Sequence, residues 1–137
     1  MHQQSTSHLF MIEPVDFYAN EQTAFTNHYQ KEVCDETADD IAEKALAEFH
    51  CLKKSIEQRG IKVTALLGSR DCPDHIFPNW FMTFDDKTMQ IFSMMAPNRR
   101  EEKKSHMIQH LTETYELTDD MSDLEDKEIF LESTSSM

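Results

Sequence analysis

Residues 38 to 59, ADDIAEKALAEFHCLKKSIEQR, place the strongest constraint on how this chain folds. Ile41, Ala45, Phe49, Leu52 and Ile56 recur at steps of four, four, three and four, which gathers them on one face of a helix with a period of about 3.6 residues. Asp39, Asp40 and Glu43 suit the positive end of the helix dipole, Lys53, Lys54 and Arg59 suit the negative end, and Gly60 is placed to take the left-handed position beyond it. Such a helix has to bury its apolar stripe against other elements.

The flanking sequence supplies candidates for strands. HLFMI (8 to 12) is a short apolar run that stops at Glu13-Pro14, and IKVTALL (61 to 67) is β-branched and alternating. Further on, WFMTF (80 to 84), a turn at 85 to 88 and MQIFSMM (89 to 95) predict a hairpin. A second helix fits 99 to 115, where Met107, Ile108, Leu111 and Tyr115 share a face, and short strands fit 121 to 124 and 129 to 131. Residues 16 to 30 read as an ordered loop with one helical turn. Strands alternate with helices, so the pattern predicts a mixed α/β fold in a single domain.

Composition narrows the partners. Thirteen Lys and Arg against 26 Asp and Glu leave a net charge of -13, which repels nucleic acid and anionic membranes. No apolar run approaches the ~20 residues of a membrane span. Cys34, Cys51 and Cys72 are odd in number and widely spaced, which suggests a reducing cytoplasmic setting and neither a disulfide framework nor a zinc knuckle. Only Gly60 and Gly68 occur, so tight turns are expected to rely on Asp, Asn and Pro.

Chemistry-bearing residues concentrate in DCPDHIFPNW (71 to 80). Asp71, Cys72, Asp74 and His75 are all donor types that bind zinc, but turn formation with solvated carboxylates is the favoured reading. His106 and His110 have the i, i+4 spacing of a metal pair, yet they project away from the apolar face and no third ligand accompanies them, so metal binding is not favoured there either. Cys51 reads as a quiet, partly buried thiol, while acidic neighbours disfavour a thiolate at Cys34 and Cys72. Residues 98 to 104, NRREEKK, read as a solvated, salt-bridged helix face.

Five phrases in order, MIEPVDFYANEQTAFTNHYQ (11 to 30), AEFHCLKKSIEQRGIKV (47 to 63), PDHIFPNWF (73 to 81), FSMMAPNRREEK (92 to 103) and FLESTSSM (130 to 137), together resemble one family. It is the arginine-deiminase-related, citrulline-hydrolase-like branch of the guanidine-modifying (amidinotransferase and deiminase) superfamily. The resemblance implies a partial pentein, or α/β propeller, comprising about the first two of five ββαβ-like units. It also implies cysteine-dependent chemistry on a guanidino or ureido carbon, without a cofactor, in which a histidine moves protons and acidic or amide side chains hold the substrate.

Carried over residue by residue, that resemblance makes Asp74, Asn79 and Glu132 the substrate-binding candidates. FPNWF here has one asparagine fewer than the family's FPNNWF, Ser133 and Ser135 replace the glycines of FLEGTGS, and Glu13 stands where the family has arginine. The family's catalytic histidine and nucleophilic cysteine fall beyond residue 137. The expectation is therefore an N-terminal portion of such an enzyme, apparently truncated and inactive alone, with self-association through open propeller edges. The alternative is a degenerate binding protein that keeps the scaffold.

Overall fold

The computed structural model describes residues 6–15, 17–24 and 37–131. Two small sheets and their helices share one core. Strands β1 (His8–Glu13) and β2 (Lys62–Leu67) run parallel, from His8 opposite Lys62 to Glu13 opposite Leu67. Parallel strands need a long connection, and α2 (Ala38–Glu57) lies within it, preceded by the single turn α1 (Glu21–Ala24).

Local chemistry sets the ends of α2. Thr37 and Asp40 form a reciprocal capping box, the Thr37 hydroxyl accepting from the Asp40 amide at 3.2 Å while the Asp40 carboxylate accepts from the Thr37 amide at 3.3 Å. Past the other end Gly60 adopts φ +80, as its sequence position predicts. At the far end of β2 the amide of Gly68 donates to the Glu13 carbonyl at 2.8 Å. A Cβ at residue 68 would stand 2.7 Å from that same oxygen, so the close approach of the two strands requires glycine.

The second sheet has the order β3-β4-β5. Strands β3 (Phe81–Thr83) and β4 (Thr88–Ile91) form the expected antiparallel hairpin. After the one-turn α3 (Pro97–Arg100) and the longer α4 (Ser105–Thr112), β5 (Glu116–Asp120) returns parallel to β4 with a register shift between Met89 and Gln90. Ile12 from β1, Trp80, Met89 and Ile91 from the hairpin, Met94, and Met107 and Leu111 from α4 form the buried core, with Phe10, Leu66, Phe81, Ile108 and Tyr115 packed on it. Phe81 joins the sheets, its ring meeting Phe10 edge-on at 5.5 Å. No helix among the described residues is long and apolar enough to cross a membrane.

Several expectations need correction. The predicted helix at 99 to 115 is two helices, because Lys104 has extended backbone (φ -72, ψ 139) and the preceding residues turn inward to polar partners. NRREEKK is accordingly no solvated face: Arg99 and Glu102 are buried, and the Lys103 ammonium reaches Phe92 O, Ser122 and Glu125. MQIFSMM stops being strand after Ile91. Phe92, Ser93 and Met94 are apolar or small because they are buried, and the Phe92 and Met94 amides bond to Trp80 O and Glu125 Oε1.

The strand predicted at 121 to 124 lies instead at 116 to 120, followed by a 3-10 helix over Ser122–Lys127. Every residue of β5 is exposed, so pairing with β4 comes from its backbone and no apolar pattern marks it. Residues 129 to 131 form no strand, although the Leu131 amide bonds to Ser93 O at 3.0 Å. Positive φ falls on Asp71, as expected of an Asp turn, but also on Lys87 and Glu128. Leu52, assigned to the apolar face of α2, is 54% exposed. It rims an open cleft of about 390 Å³ between α2, β1 and the 73–77 turn.

These burial differences predict a sharp contrast in urea unfolding. Ile91→Ala should cost about 2–5 kcal/mol through lost transfer energy and a cavity, whereas Leu52→Ser should change stability by less than about 0.5 kcal/mol.

Candidate functional site

The 68–80 loop is fixed by its own hydrogen bonds before any distant residue touches it. Asp71 takes left-handed backbone (φ 68), the Cys72 amide donates to Ser69 O, and Pro73 opens a 3-10 turn over Pro73–Ile76. Proline there presets φ and sacrifices an amide that such a turn leaves unpaired. The imidazole of His75 is buried, and its Nδ1 accepts the Ser69 amide at 3.1 Å. Because a backbone N–H can only donate, His75 is neutral with its proton on Nε2. Burial pushes its pKa down to about 4, assisted by Lys104, Arg99 and His106 and opposed by the Glu102 backbone. His75 is thus a structural strut of the loop.

Asp74 faces the other way and is buried, contrary to the expectation of a solvated carboxylate. Its Oδ2 accepts from Asn20 Nδ2 at 2.7 Å and from the Thr23 hydroxyl at 3.0 Å. Asn20 in turn is held by Asn98, whose Nδ2 donates to Asn20 Oδ1 at 2.8 Å, while the Asn98 amide donates to Gln22 Oε1 at 3.1 Å. Three stretches far apart in sequence, at 20–23, 74 and 98, are therefore joined in one hydrogen-bonded network, with Asn98 reaching the carboxylate through Asn20.

Asn79 is held from the same short helix. Arg99, the neighbour of Asn98 on α3, donates through Nη2 to Asn79 Oδ1 at 2.6 Å and to Phe77 O at 2.8 Å. Its Nε and Nη2 also meet the two oxygens of Glu102, each at 3.1 Å. Asp74 and Asn79 are thus both tied to α3, one through Asn20 and Asn98 and the other through Arg99, with no direct contact between them among the interactions of the described residues.

Glu132 lies outside the described residues. The chain just before it is anchored, since the Leu131 amide bonds to both Ser93 O and Ser93 Oγ at 3.0 Å, and the Phe130 ring lies 5.5 Å from the Arg100 guanidinium. Glu125 secures this stretch by accepting from the Met94 amide and from Lys103.

Neither described thiol is poised for attack. Cys51 is exposed on α2 rather than partly buried, and Cys72 is buried. Burial raises the Cys72 pKa, the nearby Lys104 lowers it, and Glu102, Glu101 and Asp71 raise it further. Cys34 lies outside the described residues. His106 is exposed and His110 stands 3.6 Å from Glu113. Among the described residues no three His, Cys, Asp or Glu side chains are grouped to hold a metal.

Several acidic groups lie near Tyr18. Tyr18 has its phenol pKa raised, first by burial and then by Asp71, Cys72, Glu21 and Asp74. The sequence does not single out Asn20 or Thr23, and Asn98 and Arg99 read there only as part of a solvated NRREEKK face. Two local signals point to them: Asn20 before Glu21-Gln22-Thr23 is a helix-cap pattern, and Arg99 with Glu102 has i, i+3 spacing.

A carboxylate buried among amides in a mixed α/β fold fits the guanidine-modifying class that the sequence resembles. Residues 13–137 match the family described as N,N dimethylarginine dimethylhydrolase, eukaryotic, and the chain belongs to that family. No curated protein matches the chain.

Two tests follow from the geometry. His75 is neutral in the folded chain and regains a pKa of about 6.5 on unfolding, so the unfolded state binds more protons and stability falls as pH drops from about 6.5 towards about 4. The loss, on the order of 3 kcal/mol at its fullest, should shrink markedly in His75→Gln when the two proteins are compared by denaturant unfolding across that range. Arg99→Met strands the buried Glu102 carboxylate and should cost about 3–5 kcal/mol, while Arg99→Met with Glu102→Leu should recover most of that.

Proposed function

We propose that these residues form the substrate-binding part of a pentein-type hydrolase acting on a guanidino or ureido compound, with Asp74 accepting a substrate N–H and Asn79 and Glu132 as further substrate contacts. The observation that carries this reading is the burial of the Asp74 carboxylate without a cationic partner. It is buried at 7% exposure, and among the described residues its partners are an amide and a hydroxyl, with no Lys, Arg or His paired to it. Burying an anion without a counter-cation is costly, and a planar guanidinium arriving as substrate would offset that cost with charge-assisted hydrogen bonds.

Arg99 has a different duty. Its buried guanidinium is already shared among Glu102, Asn79 and Phe77 O, so it serves to hold the loop. The propeller part of the proposal draws support from the order β3, β4, α3, α4, β5, a hairpin followed by a helical segment in two parts and a strand parallel to β4. That succession is the ββαβ pattern the family resemblance implies.

The chemistry such a site serves is addition of a thiolate to the guanidino carbon, departure of the amine with a proton from a histidine, and release by water. Cys72 and His75 do not fit those roles, one buried with its pKa raised and the other a neutral strut of the loop. Accordingly, the 137-residue chain by itself is proposed to bind substrate without turning it over.

Calorimetric titration with L-arginine, Nω,Nω-dimethylarginine and L-citrulline tests the binding claim. Asp74→Asn should weaken the cationic ligands by about ten- to a hundredfold and the neutral ureido compound less. Equal affinities in wild type and variant would remove the basis for the proposal, and cysteine-dependent release of amine by the chain alone would refute the absence of turnover.

A further inference from the structure

Asn20 is buried at 1% exposure, and its amide has one possible orientation. The Gln22 backbone N–H points at one of its side-chain atoms at 3.1 Å, and only the oxygen can accept there. Asn98 Nδ2 donates to that same oxygen at 2.8 Å. The nitrogen is thereby turned towards Asp74, where Nδ2 meets Oδ2 at 2.7 Å.

We propose that Asn20 is a positioning residue for the binding carboxylate: it commits Oδ2 of Asp74 and leaves Oδ1 as the one oxygen offered to a ligand N–H. Among the described residues both hydrogen bonds to the Asp74 carboxylate fall on Oδ2, the second from Thr23 Oγ1 at 3.0 Å. That hydroxyl also lies 3.3 Å from Asn20 O, but the charged oxygen is the nearer and stronger acceptor. Two donors on one oxygen fix the rotation of the carboxyl group. Asn20 acts with both ends, its oxygen capping α1 through Gln22 and its nitrogen setting the acceptor that faces the ligand. This rests on the reading of Asp74 as a cation acceptor given above.

Asn20→Asp separates these two duties. Aspartate caps a helix about as well as asparagine, so the oxygen that receives Gln22 and Asn98 is retained. Only the donor facing Asp74 is exchanged for an acceptor. Two carboxylates in such contact share one proton, and an entering cation must displace it.

The full chain and the variant are titrated calorimetrically with L-arginine from about pH 5 to about pH 8, and the affinity ratio of variant to wild type should climb by up to about tenfold per pH unit. Binding by the variant should also release a proton, seen as a dependence of the heat on the ionisation enthalpy of the buffer. Tyr18, Glu21, Asp71, Cys72, His75 and Arg99 are common to both proteins and largely cancel in the ratio. A ligand-free arm follows thermal unfolding over the same range. The shared proton is held more tightly folded than unfolded, so the folded pKa is raised and the variant should lose stability relative to wild type as pH rises through it.

Parallel pH profiles in both arms overturn the proposal, because a residue that only capped α1 would leave them parallel. Where the wild type binds ligand, a stability difference without a binding difference also overturns it and leaves Asn20 a structural residue. If the wild type binds no guanidino or ureido compound, it is the reading of Asp74 that fails, and the ligand-free arm still decides whether Asn20 sets that carboxylate.

Discussion

A guanidinium and a carboxylate out of water, Arg99 and Glu102, hold together what the backbone alone would leave apart. Removing two charges from solvent costs several kcal/mol for each ion, and that cost is offset only because the pair is bidentate and the remaining arginine donors find Phe77 O and Asn79 Oδ1. The loop containing Asp74 and Asn79 has no strand pairing of its own. It is braced from within by His75 and Ser69, from α3 by Arg99, and from the chain's early segment by Asn20. An apolar pair in place of Arg99 and Glu102 would hold the helix turn equally well, but would provide no donors for a loop carbonyl and an amide oxygen.

Charge is distributed in keeping with that arrangement. The chain carries a net -13, yet three cations of the 99–103 stretch are engaged inward: Arg99 with Glu102, Arg100 with the carbonyls of Met94 and Met95, and Lys103 with Glu125. Asp74 is left facing the Asn20 amide and the Thr23 hydroxyl. Positive charges used as internal braces are not directed at Asp74, and the phenol of Tyr18 has its pKa raised, first by burial and then by Asp71, Cys72, Glu21 and Asp74.

How legible this was in the sequence depended on whether a residue's role is periodic. β1, α2, β2 and the hairpin follow from apolar spacing, and the capped, dipole-matched ends of α2 fall close to their predicted positions. β5 escaped because an exposed edge strand needs only backbone partners, so its charged side chains carry no strand pattern. The break between α3 and α4 escaped because Met107, Ile108 and Leu111 keep the helical period on one side of it while Glu102 and Lys103 turn inward on the other. In the candidate site, Asp74 and Asn79 became candidates through resemblance to a family. Asn20, Asn98 and Arg99 work only through one another, and a hydrogen bond between residues 78 positions apart leaves no periodic trace.

That separation has a kinetic consequence. The site is assembled from contacts 54 and 78 positions apart in sequence, so it exists only once the β1–α2–β2 crossover has closed and α3 has docked behind the hairpin. Contacts of such long range incur their loop-closure entropy before they contribute stability. This cluster should be among the last parts of the molecule to form and among the first to come apart. A molecule that fits it would recognise the finished topology rather than any one segment, and each occupied site would draw the population towards the fully assembled chain.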